Sequence, residues 1–224
     1  RYQELIDHRL DGELRGIIGA LQKAQTAEDV MSALAACPTL NMRNTRYVIY
    51  NPEQQPLKNP YAFGNAWFVD KLDMVDNADA EIEALNTIDP LRTAVVDKRF
   101  QEDLEGFVPQ KDSTATIVLE EYRPNRLTYK SKADKEQLAV FSEVYYQPGW
   151  KATVDGKEVP HFRADWILRG MRVPAGEHTI VFEFRPSGYV TAAYVSSYSS
   201  FLILLLLIAA IGWSGWKYWK KSKE

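Results

Sequence analysis

Between Tyr189 and Trp216 the chain carries no charged residue, and just beyond stand Lys217, Lys220, Lys221 and Lys223. The centre of this stretch, Phe201 to Ile211, is apolar on every face that a helix could present. A bilayer core of about 30 Å takes roughly 20 helical residues to cross. Tyr198 to Trp216 supplies 19, with Tyr198 at one end and Trp213, Trp216, Tyr218 and Trp219 at the other, where interfacial aromatics belong. No set of amphipathic partner helices is visible to bury such a segment, so a transmembrane helix over residues 197–219 is the expectation. Lysines beside a span mark its cytoplasmic side. That makes residues 220–224 a cytoplasmic basic tail and puts everything before about Ser197 outside the cytoplasm. The implied location is the cell (inner, cytoplasmic) membrane, with a single C-terminal span, and the first implied partner is the lipid bilayer.

The remainder has the character of a water-soluble domain. Mean hydropathy is -0.33 even with the apolar stretch included. Of the net charge of -3, the tail beyond Trp216 contributes four lysines against Glu224, leaving an acidic remainder. An acidic domain argues against nucleic acid, which calls for basic surface. Cys37 is the one cysteine, so an intrachain disulfide and a Cys-based metal site are both excluded. Arg1 is followed by no signal-peptide pattern. A domain outside the cytoplasm must still be delivered there, either by a signal since removed or as the tail of a longer polytopic protein; the second is the favoured expectation.

The fold class read from the pattern is α+β: N-terminal helices and a small α/β segment, then an antiparallel β-sandwich, then the transmembrane helix. In residues 1–40, Leu5, Ile6, Leu10, Leu14, Ile17, Ile18 and Leu21 recur at helical spacing. Thr26 with Asp29 resembles a capping box for a second helix through Ala36, which Pro38 ends. In residues 41–110, Arg46 to Tyr50 is a short β-type run, and Pro52, Pro56 and Pro60 space an extended loop. Ala66–Val69 and Thr93–Val96 are strand candidates, separated by a helix across Asn77–Leu85. From 111 to 188 the alternation is β throughout, with strands over 115–122, 125–130, 137–146, 150–154, 166–173 and 177–184. Asp155-Gly156 between two of them is a strong two-residue hairpin signal. Ile180, Phe182 and Phe184 alternate with Thr179, Val181 and Glu183, which predicts one buried and one wet face.

A resemblance enters at Ser142-Glu143-Val144-Tyr145-Tyr146-Gln147-Pro148-Gly149-Trp150-Lys151-Ala152-Thr153-Val154-Asp155-Gly156-Lys157 and continues through Arg163-Ala164, Val173 to His178 and Phe182 to Pro186. These runs resemble the C-terminal region of the bacterial membrane-protein family YfhO. Leu40 to Ile49 and Gly64 to Val69 are similar to further stretches of it. The resemblance implies a polytopic membrane protein related to type C glycosyltransferases, which use lipid-linked sugars, and a connection with decorating cell-envelope polymers. Such enzymes place their acidic catalytic residues in an early loop between N-terminal membrane helices. Those helices are absent from these residues, so no catalytic residue carries over.

The residues themselves offer little chemistry. His8, His161 and His178 stand alone, without metal-ligand spacing. No phosphate loop, nucleotide fingerprint or nucleophile elbow is present, so no cofactor is expected. Asp155 with Asp165 as a catalytic pair is a weaker reading than Asp155 in a hairpin turn. The aromatics say more. Tyr145, Tyr146, Trp150 and Trp166 gather around one hairpin, and flat rings suit sugar faces while a carboxylate such as Asp155 accepts hydroxyl hydrogen bonds. Core packing competes with that reading for any sandwich tryptophan, Trp67 included.

The sequence thus points to a non-catalytic extracytoplasmic domain and anchor of a YfhO-like, glycosyltransferase-related membrane protein. Its expected partners are cell-envelope glycan or lipid-linked sugar and the upstream membrane helices of the same parent. A stand-alone, membrane-anchored carbohydrate-binding surface module is the alternative.

Overall fold

Leu138-Ala139-Val140-Phe141 is apolar at every position, which a strand tolerates only if both of its faces are covered. In the computed structural model, which describes residues 1–223, this run is an interior strand with a core on each side. Glu224, last residue of the expected tail, lies outside the described residues.

The strand, β8 (Gln137–Val144), sits in a four-stranded antiparallel sheet of order β11-β12-β8-β3, with β3 (Ala66–Val69), β11 (Phe162–Ala164) and β12 (Leu168–Val173). Ala139 and Phe141 point to a five-stranded antiparallel sheet of order β10-β9-β13-β7-β6. That sheet is built from β6 (Thr116–Arg123), β7 (Arg126–Ala133), β9 (Trp150–Val154), β10 (Lys157–Val159) and β13 (Gly176–Phe184). Tyr129, Phe141 and Phe182 meet edge to face between the sheets, the first two at 4.9 Å. Such pairing adds to the burial of three large rings. Ile180 and Phe182 are fully buried as their alternation predicts.

Leu138 and Val140 point the other way, into a core shared with the N-terminal helices and a small parallel β-α-β unit. The first helical stretch runs through α1 (Tyr2–Leu5), one π-helical turn (Ile6–Leu10) and α2 (Asp11–Lys23). Leu5, Leu10 and Ile17 are buried, whereas Leu14 and Ile18 stay exposed. The wider π turn shifts the phase of everything after it, so the apolar stripe expected from a regular helix is not kept in register. α3 (Ala27–Ala35) begins at the Thr26–Asp29 capping box. Pro38 marks the end of that helix and also opens another, α4 (Pro38–Met42), where its missing N–H costs nothing. The Glu13 carboxylate accepts from the amides of Thr39 and Leu40 and so caps α4 from a neighbouring helix.

Two short strands, β1 (Tyr47–Val48) and β2 (Leu57–Lys58), turn the proline-spaced segment into a hairpin, not the wholly extended loop expected. The parallel partner of β5 (Thr93–Asp97) is β4 (Lys71–Val75), with α5 (Ala78–Ala84) between them. Ala66–Val69, expected in the α/β segment, instead hydrogen-bonds to β8. Finally α6 (Ser187–Lys221) begins ten residues before the expected span. Thr191–Lys220 is long and apolar enough to cross a membrane and is not buried against the rest of the chain.

Candidate functional site

The loop after β8 and the start of β9 bring Tyr145 and Trp150 to one hollow of about 400 Å³, whose opposite wall comes from the 3-10 turns Lys98–Leu104. Tyr145 is fixed by its amide, which donates to the Ile167 carbonyl at 2.6 Å. Its ring meets Phe100 at 5.8 Å and His161 at 5.6 Å. Burial raises the affinity of its phenol for the proton, so it remains a hydroxyl. Trp150 is half-buried: the Arg169 guanidinium lies 4.1 Å over its ring and Phe184 packs at 5.3 Å. Arg169 is itself buried and donates to the Val144 carbonyl at 3.1 Å, so the tryptophan is held from beneath by a fixed group.

The charges around the hollow are largely committed. Arg99 donates to Asp97 at 3.0 Å, and Lys151 pairs with Glu158 at 3.1 Å. Asp103 has no ion-pair partner among the described residues, and burial, then neighbouring Glu102, pushes its carboxyl pKa up. His161 is pushed down to about 4 by burial and by Arg169, so its imidazole is neutral at ordinary pH. The lining thus presents the rings of Phe100, Tyr145, Trp150 and His161 and one unpaired carboxyl, while its two cations, Arg99 and Lys151, are each paired with a carboxylate.

Of the residues singled out in the sequence, Tyr145 and Trp150 thus come together, and Tyr146 beside them is 55% exposed. Trp166 does not join them. It is 4% exposed, donates through Nε1 to the Arg1 carbonyl at 2.7 Å, and carries the Arg1 guanidinium 4.2 Å over its ring. Core packing claims it, as it claims Trp67, whose Nε1 donates to the Pro90 carbonyl. Asp155 is also elsewhere, at the β9–β10 turn, accepting from Thr179 and bonded to His178. Asp155 and Asp165 belong to different places: Asp165 is fully buried and accepts from the Val95 amide at 2.8 Å. Arg99, Asp103, Glu158 and His161 were missed as site residues, because neither an irregular 3-10 segment, a three-residue strand nor a strand-ending loop carries a periodic signal that assigns its side chains to a shared hollow.

Comparison with known proteins adds one finding. Residues 101–196 match the model of the family described as bacterial membrane protein YfhO. Over this segment the chain is similar to the YfhO family. No curated protein and no solved structure gives a significant match. The YfhO segment opens within the 3-10 turns and closes within α6, so it takes in β6 to β13 and the first part of the apolar helix. It contains Asp103, Tyr145, Trp150, Glu158 and His161, whereas Arg99 and Phe100 stand just before it. Leu40–Ile49 and Gly64–Val69, which carry the upstream part of the resemblance, lie outside the matched residues.

Proposed function

We infer that this chain is the extracytoplasmic C-terminal domain and membrane anchor of a YfhO-like, glycosyltransferase-related membrane protein, and that it holds cell-envelope glycan without catalysing its transfer. The observation that carries the reading is that a ring-lined hollow, built largely from the YfhO-matched segment, leads directly into an apolar helix of membrane-spanning length. A domain tethered at the membrane surface keeps a bound acceptor near chemistry performed in the bilayer. The lysines after Trp216 support an orientation with this domain outside and the tail in the cytoplasm.

The lining favours an uncharged sugar. Both cations of the lining, Arg99 and Lys151, already neutralise carboxylates, and Asp103 would repel an anionic ligand while accepting hydroxyl hydrogen bonds from a neutral one. A ring stacked on Trp150 or Tyr145 contributes about 1 kcal/mol, so affinity for a short oligosaccharide is around millimolar.

The test uses the full chain in lipid nanodiscs, since sugar-based detergents would compete. Neutral envelope oligosaccharides should shift amide resonances around Tyr145 and Trp150, and Trp150→Ala or Tyr145→Ala should weaken binding about fivefold or more. Asp155→Asn should leave it unchanged. Absence of binding at tens of millimolar, or binding insensitive to both aromatic variants, overturns the assignment of this hollow.

A further inference from the structure

At and just past the end of α6 three lysines each sit over the indole four residues earlier. Lys217 Nζ lies 5.8 Å from the Trp213 ring centre, Lys220 Nζ 5.7 Å from Trp216, and Lys223 Nζ 3.9 Å from Trp219. All three are within cation–π range. We propose that this ladder of Trp–Lys pairs is a binding site for the phosphate headgroups of anionic phospholipids.

The geometry matches the membrane–water interface. Each pair stands three residues beyond the last, about 4.5 Å further along the axis, so the three cover about 9 Å. The headgroup layer on each side of a bilayer is of similar thickness, about 5–8 Å. Successive pairs also step around the helix by about 60°, so they fan out to neighbouring lipids instead of forming one stripe. Indole rings prefer this depth, and each fixes the height of the ammonium that it carries.

The charge is also available. No acidic residue occurs between Glu183 and Glu224, so α6 carries no carboxylate of its own beside the first two pairs. An indole face attracts a cation without neutralising it, and the ammonium keeps N–H donors for phosphate oxygens. The lipid headgroup, not a free anion, is the occupant because the first pair follows Ile211 and Gly212 directly, at the end of the apolar run. A phospholipid whose chains pack against that run has its phosphate at the level of the ladder. Each juxtamembrane lysine strengthens association with an anionic surface about fivefold at low salt.

The experiment places the full chain in phosphatidylcholine vesicles with trace spin-labelled phosphatidylglycerol or spin-labelled phosphatidylcholine, and reads the motionally restricted fraction. The glycerol lipid should be retained at least about fivefold over the choline lipid, with the preference falling at high salt. Lys217→Gln, Lys220→Gln and Lys223→Gln together should abolish it, whereas the three Lys→Arg changes should preserve it. Equal retention of both labels by the unmodified chain, or an unchanged preference in the glutamine variant, refutes the proposal. Loss of the preference on adding millimolar inorganic phosphate at constant ionic strength refutes it as well, because the ladder would then be a free-anion site. Should the glutamine variant fail to insert, the salt series and the arginine variant still decide.

Discussion

The Arg185 amide donates to the Gly149 carbonyl at 2.6 Å, which fastens the exit of the last strand to the loop that opens the hollow. Two residues later α6 begins. The apolar helix and the candidate site therefore share one joint, and the position of Trp150 is tied to the root of that helix.

Gly149 is what permits the joint. Its φ is +98°, and a Cβ built there falls 2.9 Å from the Phe184 ring and 3.1 Å from the Pro186 Cα. The backbone contact cannot be relieved by a rotamer change. Gly149→Ala should cost about 1–3 kcal/mol, lowering the melting temperature of the chain in nanodiscs by several degrees. It should also raise protease sensitivity near Pro186. A melting temperature equal to that of the unmodified chain would show that the joint is not strained in this way.

The β9–β10 hairpin offers a cleaner version of the same logic. Asp155 and Gly156 have φ of +50° and +80°, the two left-handed positions of a type I′ turn. A Cβ at Gly156 meets nothing within 4 Å, so the backbone conformation alone sets the cost. Gly156→Val should destabilise by more than about 1 kcal/mol and Gly156→Asn by much less, since asparagine tolerates the left-handed region. Equal losses for the two would exclude a conformational origin.

His178 links that turn to the next one. Its Nδ1 lies 2.6 Å from Asp155 Oδ2, and its Nε2 lies 3.0 Å from the Ala175 carbonyl. An imidazolium donates to both, and the bond to Asp155 raises the His178 pKa while that to His178 lowers the Asp155 pKa. A raised histidine pKa gives stability that is complete below the unfolded value of about 6.5 and is lost as pH rises through the folded value. The depressed aspartate works from the other side, its contribution lost as pH falls below about 4. The pair is therefore worth most between about pH 4 and 6.5. Both groups meet solvent, so the effect is modest. The melting temperature of the unmodified chain should fall relative to His178→Gln between pH 6 and pH 8. Parallel profiles would mean that the bridge does not form.

These local devices were readable from sequence where the signal is short-range. The Thr26–Asp29 box, the Asp155-Gly156 turn and the alternation of β13 each reside in a few consecutive residues. The apolar helix announces itself by composition, although its start does not: Ser187 to Ser197 is small and polar enough to read as a linker yet continues the helix. What sequence could not supply was partner choice. Ala66–Val69 has the composition of any short strand, and only its pairing to β8 moves it from the α/β segment into the sandwich. The site divided in the same way. Tyr145 and Trp150 are neighbours in the chain and were found together, whereas Arg99 and Asp103 reach the hollow through tertiary packing. Trp166 failed as a surface aromatic because its turn is held inside by α5 and by the N-terminal residue.

That turn supports the last prediction. Asp165 and Trp166 both have positive φ, at 49° and 72°, which is costly for non-glycine residues and persists only where the surroundings over-determine it. Here they do. The Asp165 amide donates to the Val95 carbonyl at 2.9 Å, the Asp165 carboxyl accepts from the Val95 amide at 2.8 Å, and the Trp166 amide donates to Glu81 at 3.1 Å. Glu81 is in turn paired with Arg163 at 2.9 Å. Among the described residues no cation pairs with Asp165, and its Oδ2 is buried without a partner. Burial, with a smaller contribution from Glu81, pushes its pKa to about 8. The folded chain therefore keeps a proton that the unfolded chain sheds above about pH 4, so stability attributable to this group falls from about pH 4 to about pH 8. Asp165→Asn retains the oxygen that accepts from Val95 and cannot ionise. Its stability relative to the unmodified chain should rise by at least about 1 kcal/mol between pH 5 and pH 8, given 1.36 kcal/mol for each unit of pKa difference. Other titrating groups are common to both proteins and cancel in the difference. Chemical denaturation of the two chains in nanodiscs at pH 5, 6.5 and 8 reads this directly. A constant difference across the three would mean that Asp165 is ionised in the folded protein and that an unseen donor satisfies Oδ2.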